Sequence, residues 1–143
     1  MTRIALAALV AAAMAAGGAT AADLSPGLWE IALDARVQAD GAFAPGPMTL
    51  RQCVSAADAR DPSRIIGPLA TPGATGCQYT ERSYSGGTFR YALDCSGTYG
   101  IKSRGSVTFG ATGFDGTMSA TANLTGQPIE FESRISGKRI GDC

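Results

Sequence analysis

Strict alternation of apolar and polar residues runs through most of the chain after residue 27. Trp29, Ile31, Leu33, Ala35 and Val37 fall on one side of an extended backbone, with Glu30, Asp34 and Arg36 on the other. The same period sets Phe89, Tyr91, Leu93 and Cys95 against Arg90 and Asp94. It sets Ile101, Val107 and Phe109 against Lys102, Arg104, Ser106 and Thr108. Further on, Phe114, Met118, Ala120, Ala122 and Leu124 alternate with Asp115, Thr117, Ser119, Thr121 and Asn123. Ile129, Phe131 and Ile135 alternate with Glu130, Glu132 and Arg134. A period of two with one apolar and one wet face is how antiparallel sheets read. The pattern predicts strands over 28–37, 47–54, 77–84, 88–95, 100–109, 114–124 and 128–140.

The punctuation between these runs is that of hairpins. Ser85-Gly86-Gly87 supplies glycines for positive φ, Ala111-Thr112-Gly113 reads as a second turn, and Thr125-Gly126-Gln127-Pro128 as a third connection. A Gly86-Gly87 turn sets Tyr84 opposite Phe89 and Ser83 opposite Arg90. The alternative three-residue turn opposes Arg82 to Arg90, like charges across strands, and is disfavoured. Ser55-Ala56-Ala57-Asp58 has the form of a capping box and predicts a short helix from Ala56 to Arg60. Residues 63–76 read as Pro/Gly-rich loop, with at most one helical turn at Arg64-Ile65-Ile66. A one-sided sheet must curl or be covered, and one short helix cannot cover about seven strands. The expected fold is therefore all-β: an antiparallel meander of about seven strands curling into a small barrel or half-barrel, with one short helix after the second strand. Small residues on the apolar face, Gly105, Gly116, Ala120 and Ala122, suit either tight curvature or an internal cavity.

Ahead of the alternation, Arg3 is followed by an apolar run from Ile4 to Ala16, a Gly17-Gly18 break and the small-x-small triplet Ala19-Thr20-Ala21. This is the layout of an export signal, with cleavage expected after Ala21 or Ala22. It predicts a leader over 1–21, one mature domain over 22–143, and a periplasmic or secreted destination. The apolar run is shorter than the roughly 20 residues a membrane span needs, and no second run exists. No cysteine stands directly after the cleavage point, the first being Cys53, so lipidation is not expected.

Four cysteines, Cys53, Cys77, Cys95 and Cys143, lie in the mature part, an even number in an exported small domain and so read as two disulfides. Three pairings are open. The one favoured here is Cys53–Cys77, closing the long loop, with Cys95–Cys143 pinning the C-terminus. A zinc site is disfavoured, since there is no C-x-x-C and no histidine in the chain. Basic and acidic residues number 12 each, and the scattered arginines form no stripe, so no nucleic-acid partner is expected.

Several stretches, taken together and in order, resemble a known family: Ser25-Pro26-Gly27-Leu28-Trp29-Glu30-Ile31, Cys53-Val54-Ser55-Ala56-Ala57-Asp58-Ala59, Cys77, Ser85-Gly86-Gly87, Cys95-Ser96-Gly97, Phe114-Asp115-Gly116-Thr117-Met118, and the closing Ile135-Ser136-Gly137-Lys138-Arg139-Ile140-Gly141-Asp142-Cys143. The set is similar to DUF3617, a family of proteobacterial exported proteins. The resemblance implies localisation and fold. The family's function is not established, so it carries over no catalytic or binding residue. Many relatives have Met-rich stretches; here the mature part keeps only Met48 and Met118, which two-residue count fits gap-filling in a core better than soft-metal ligation.

With no histidine the usual base of triad hydrolysis is missing. Glu30, Glu81, Asp94, Glu130 and Glu132 are the carboxylates a glycosidase-like pair would draw on, and all sit in strand patterns as ordinary wet-face charges. No phosphate-cradling glycine motif occurs, and no cofactor or metal is expected. The pattern favours a non-enzymatic module that binds an apolar or amphipathic small ligand on its concave face, with Trp29, Phe89, Tyr91, Phe109 and Phe131 as candidate ligand-facing residues. The alternative is an envelope structural or interaction module docking a protein through a sheet edge or the 62–76 loop.

Overall fold

The computed structural model describes residues 24–37, 47–97 and 99–143. The expected leader and its cleavage point lie outside the described residues. The elements in chain order are β1 Gly27–Val37, β2 Met48–Val54, α1 Ala56–Arg60, α2 Pro62–Ala70, β3 Cys77–Ser85, β4 Thr88–Cys95, β5 Lys102–Phe109, β6 Gly113–Leu124 and β7 Gln127–Gly141. Seven strands make one antiparallel sheet in the order β2-β1-β7-β6-β5-β4-β3. It does not close into a barrel: β2 and β3 are its edges. From β3 to β7 it is the expected meander, and β7 then pairs with β1 along ten positions from Leu28↔Gly141 to Val37↔Phe131. The exception to neighbour-next-to-neighbour order is the connection from β2 to β3, which runs from one edge to the other and carries both helices.

That connection explains how an open sheet buries its apolar face. The Ser55 hydroxyl accepts from the Asp58 N–H at 3.1 Å while the Asp58 carboxylate accepts from the Ser55 N–H, so α1 starts with the expected capping box. The next stretch corrects the sequence reading. Residues 62–70 form a nine-residue helix and not a loop with one turn. Asp61 caps it by accepting from the Ser63 N–H, and Pro62 occupies the first turn, where a missing N–H costs nothing. Ile65, Ile66 and Ala70 then share the face that buries against the sheet. Gly67 and Pro68 read as breakers in the sequence; in α2 Pro68 faces solvent, and Gly67 makes room for Tyr79, whose hydroxyl oxygen would lie 3.0 Å from a Cβ there.

The core is built from the inward positions of the alternation: Trp29 and Ile31 of β1, Phe89 and Leu93 of β4, Val107 of β5, Phe114 of β6 and Ile135 of β7, beneath Ile65 and Ile66. Trp29 stacks on Phe114 at 5.6 Å between ring centroids, and Phe109 tilts onto the same ring at 5.2 Å. Gly137 is the floor under Phe114; a Cβ there overlaps the ring, so only glycine admits this arrangement.

The first hairpin has the expected register, Tyr84↔Phe89 and Ser83↔Arg90. A bulge between Tyr79 and Glu81 then shifts the pairing by one residue. Without it Cys77 would oppose Ser96. With it Cys77 opposes Cys95, and these two are bonded. Leu28 lies between Cys53 on one side and Gly141 on the other, and the chain end beyond Gly141 crosses it to bring Cys143 to Cys53, its actual partner. The pairing is therefore Cys53–Cys143 and Cys77–Cys95, correcting the expected Cys53–Cys77 and Cys95–Cys143. The missing information was the bulge, which has no glycine or proline to announce it.

The bulge also puts Tyr79 on the inner face, where its hydroxyl donates to the Ser63 carbonyl at 2.6 Å and Arg82 lies 5.7 Å from its ring centroid. Burial, and then the neighbouring Tyr91 and Asp61, push the Tyr79 phenol up to about 12. A folded-state value above the unfolded one of about 10 means the fold holds the neutral phenol. The stability it contributes is complete below about pH 10 and is lost as pH rises through about 12. Urea midpoints at about pH 9 and about pH 11.5 will fall further apart in the native chain than in Tyr79→Phe, and equal spacing would remove Tyr79 from the alkaline transition.

Candidate functional site

The inner face is filled unevenly. Large side chains occupy the part beneath the middle of α2. Beyond the helix end the inward positions turn small: Ala35 on β1, Ser103 on β5, Ala120 and Ala122 on β6, Ser133 on β7. α2 stops at Ala70, where the Thr71 hydroxyl donates back to the Gly67 carbonyl at 3.0 Å. The helix thus covers this part of the face only with Leu69 to Pro72. A cavity of about 370 Å³ is left between the sheet and the helix end. Leu33, Ile101, Met118 and Phe131 complete its apolar wall, and Met48, 51 % exposed, stands at its mouth. Among the described residues its lining includes no charged side chain, and its polar groups are the hydroxyls of Thr71, Ser103, Ser119 and Ser133. A concave, mostly apolar site with few polar groups is how small-molecule pockets are built.

Ser103 lines the cavity, and Tyr91 stands behind it. Ser103 is 3 % exposed, and its hydroxyl lies 3.4 Å from the Tyr91 hydroxyl. The Tyr91 ring lies over Gly105, whose ideal Cβ would come within 3.0 Å of the phenol oxygen. Burial, opposed by the bond to Ser103, pushes the Tyr91 phenol above its ordinary value.

The five candidate ligand-facing residues are not together. Trp29 is fully buried, its Nε1 donating to the Ser25 carbonyl at 3.0 Å. Phe109 packs beside it through Phe114. Phe89 and Tyr91 stack on each other at 5.8 Å, with Tyr79 edge-on to both. These four belong to the solid core, Tyr91 meeting the cavity only through its hydrogen bond to Ser103. Phe131 alone lines the cavity. Sequence reasoning missed Met48, Ile101, Ser103 and the Leu69–Pro72 cover. Ser103 had a signal, a hydroxyl at an inward strand position; the cover had none, because it depends on where α2 ends.

The opposite face is polar. A shallow concavity of about 930 Å³ there is bordered by Arg36, Arg90, Arg104 and Arg134 together with Asp34, Glu81 and Glu132. Opposite signs meet across strands, Asp34↔Arg134 and Arg36↔Glu132, as on an ordinary solvated sheet. Glu30 pairs with Lys138 at 3.1 Å and Arg51 at 3.7 Å, and Asp94 with Lys102 at 3.6 Å. Among the described residues no three His, Cys, Asp or Glu side chains converge on a point where a metal would sit, and no helix is long and apolar enough to cross a membrane.

The family model of DUF3617, described as a protein of unknown function, matches residues 24–143. No curated protein and no solved structure matches the chain.

Proposed function

The chain belongs to the DUF3617 family, and from that premise we propose that it is an exported, non-enzymatic module holding an apolar or amphipathic small ligand in the cavity beyond the end of α2. The observation that carries this reading is the cavity itself. A sheet of this size with α2 across it has enough large side chains to bury Trp29 and Ile66 completely, yet it leaves about 370 Å³ lined by small and apolar residues and reaching the surface at Met48. Export, with cleavage after Ala21 or Ala22, rests on the leader pattern and is supported by the two disulfides, which persist in oxidising compartments.

Native mass spectrometry of the protein purified from a bacterial periplasm tests both parts. The expected spectrum is a mature chain beginning at residue 22 or 23, with an added mass that gentle activation releases. Ala120→Phe, which sends a ring into the cavity, is expected to abolish the added mass without unfolding the domain, overpacking typically costing about 1–3 kcal/mol. A native chain that carries nothing, or an adduct that survives in Ala120→Phe, removes the cavity from the reading.

A second reading keeps one observation of its own. β3 is guarded at its edge by a bulge and an inward Arg82, whereas β2 pairs regularly with β1 from Met48 to Val54 and, among the described residues, its outer edge has no strand partner. Docking of an extended segment of an envelope protein along β2 is the interaction function that fits the fold. The 62–76 segment does not fit it, since Ile65 and Ile66 turn inward.

A further inference from the structure

The ligand's chemistry is legible in one buried hydroxyl of the cavity's lining, Ser103, and this step rests on the cavity reading above. Ser103 and Tyr91 are both nearly fully buried, at 3 % and 2 % exposure. Among the described residues each is the other's side-chain hydrogen-bond partner, at 3.4 Å. Two hydroxyls carry two protons, and a bond between them uses one. With Tyr91 donating to Ser103, the Ser103 proton is left without an acceptor among the described residues, in the lining of a cavity with apolar walls. A buried donor in that position costs about 1–3 kcal/mol unless something accepts from it. The arrangement is not a core accident of size, because Ser103 lies between Leu93 and Ala120 in register, where an apolar side chain would fill the space. Nor does the site suit an anion: no cation lines it, and an unpaired carboxylate brought there would lose its hydration without compensation.

We propose that the cavity takes an uncharged alkyl chain with an oxygen acceptor at its buried end, a ketone or ester carbonyl, which receives the Ser103 hydroxyl proton while Tyr91 donates to Ser103. The chain lies along Ala120, Ala122 and Phe131, and its far end emerges beside Met48.

The test uses two probes on the mature, oxidised protein: the fluorescent apolar amine N-phenyl-1-naphthylamine, which reports the cavity, and 2-nonanone, which displaces it. Tyr91→Phe and Ser103→Ala each remove one hydroxyl and little volume. The expected result is displacement by 2-nonanone weakened about ten-fold in at least one variant, the worth of one buried hydrogen bond, with naphthylamine affinity unchanged. Equal 2-nonanone affinity in the native chain and both variants, with naphthylamine still bound, overturns the acceptor assignment and leaves the cavity reading standing. A native chain that binds neither probe overturns both.

Discussion

Cys143→Ala is expected to lower the stability of the folded domain by about 4–5 kcal/mol. The bond it removes joins residues separated by 90 positions, from β2 to the last residue of the chain. In the chain-entropy account the stabilisation grows with the logarithm of the loop, so a bridge spanning most of the domain restrains the unfolded ensemble more than one that closes a hairpin. Cys95→Ala opens the bond across 18 positions and is expected to cost nearer 3 kcal/mol. Cys53 and Cys143 are both exposed, so the larger loss involves little core repacking and comes from the unfolded side. That origin has its own signature. Without the crosslink the unfolded chain expands, and the denaturant dependence of the free energy steepens along with the fall in midpoint. Guanidinium unfolding without reductant reads both quantities. A loss below about 1 kcal/mol with an unchanged slope would mean that the C-terminus is held by other contacts.

Such contacts exist, and they show why the two ends of the sequence share a role. Arg139 donates through Nε to the Pro26 carbonyl at 2.8 Å and is braced by Asp142. Gly27, at φ 145°, lies so close to Gly141 that a Cβ would sit 2.5 Å from the Gly141 carbonyl oxygen. The Pro-Gly-Leu-Trp opening and the Gly-Asp-Cys ending are thus halves of one structure, the junction of β1 with β7. In the sequence they are separate motifs, and nothing local says that they touch.

The strands were legible because each is buried on one face, and a period of two records that directly. The open sheet was less so. Whether a one-sided sheet closes or is covered depends on α2, and α2 carries Pro62, Gly67 and Pro68, residues whose local preference points to loop. Their position decided the matter: Pro62 falls where no N–H is needed, Gly67 makes room for the Tyr79 hydroxyl, and Pro68 faces solvent. The disulfide pairing turned on a single inserted residue near Thr80, worth one step of register and silent in composition. At the candidate site the small residues were informative and the large ones misleading. Ala120 and Ala122 line the cavity, as their size on an apolar face allowed. Gly105 and Gly116, which looked alike in sequence, serve close approach, with Tyr91 and the β5 backbone in the space a side chain would take. Trp29, Phe89 and Phe109 gave the strongest aromatic signal, but an aromatic ring on an inward strand position stabilises a core whether or not a ligand is present. Only geometry separates the two uses.

Trp29→Ala makes that separation measurable, and it carries the second large effect, a loss of about 3–5 kcal/mol. The indole is fully buried against Phe114, which itself fills the space above Gly137. Deleting the indole therefore opens a void between strands that are already hydrogen-bonded on both sides and cannot collapse into it. Its Nε1–H also holds the Ser25 carbonyl, and the Ser25 N–H in turn donates to Ala111 at 3.1 Å, so the entry of the chain into β1 loosens with it. Trp29→Phe keeps most of the volume and loses the bond to Ser25, and is expected to cost about 1 kcal/mol from the hydrogen bond plus a smaller packing term. Circular dichroism must follow the unfolding, because Trp29 is the single tryptophan of the chain and both variants are silent in tryptophan fluorescence. Below the melting transition, Trp29→Phe should bind N-phenyl-1-naphthylamine as the native chain does, for the ring lies in the solid half of the inner face and not along the cavity. A variant that folds as expected yet no longer binds the probe would return Trp29 to the ligand and move the site from the end of α2 to its centre.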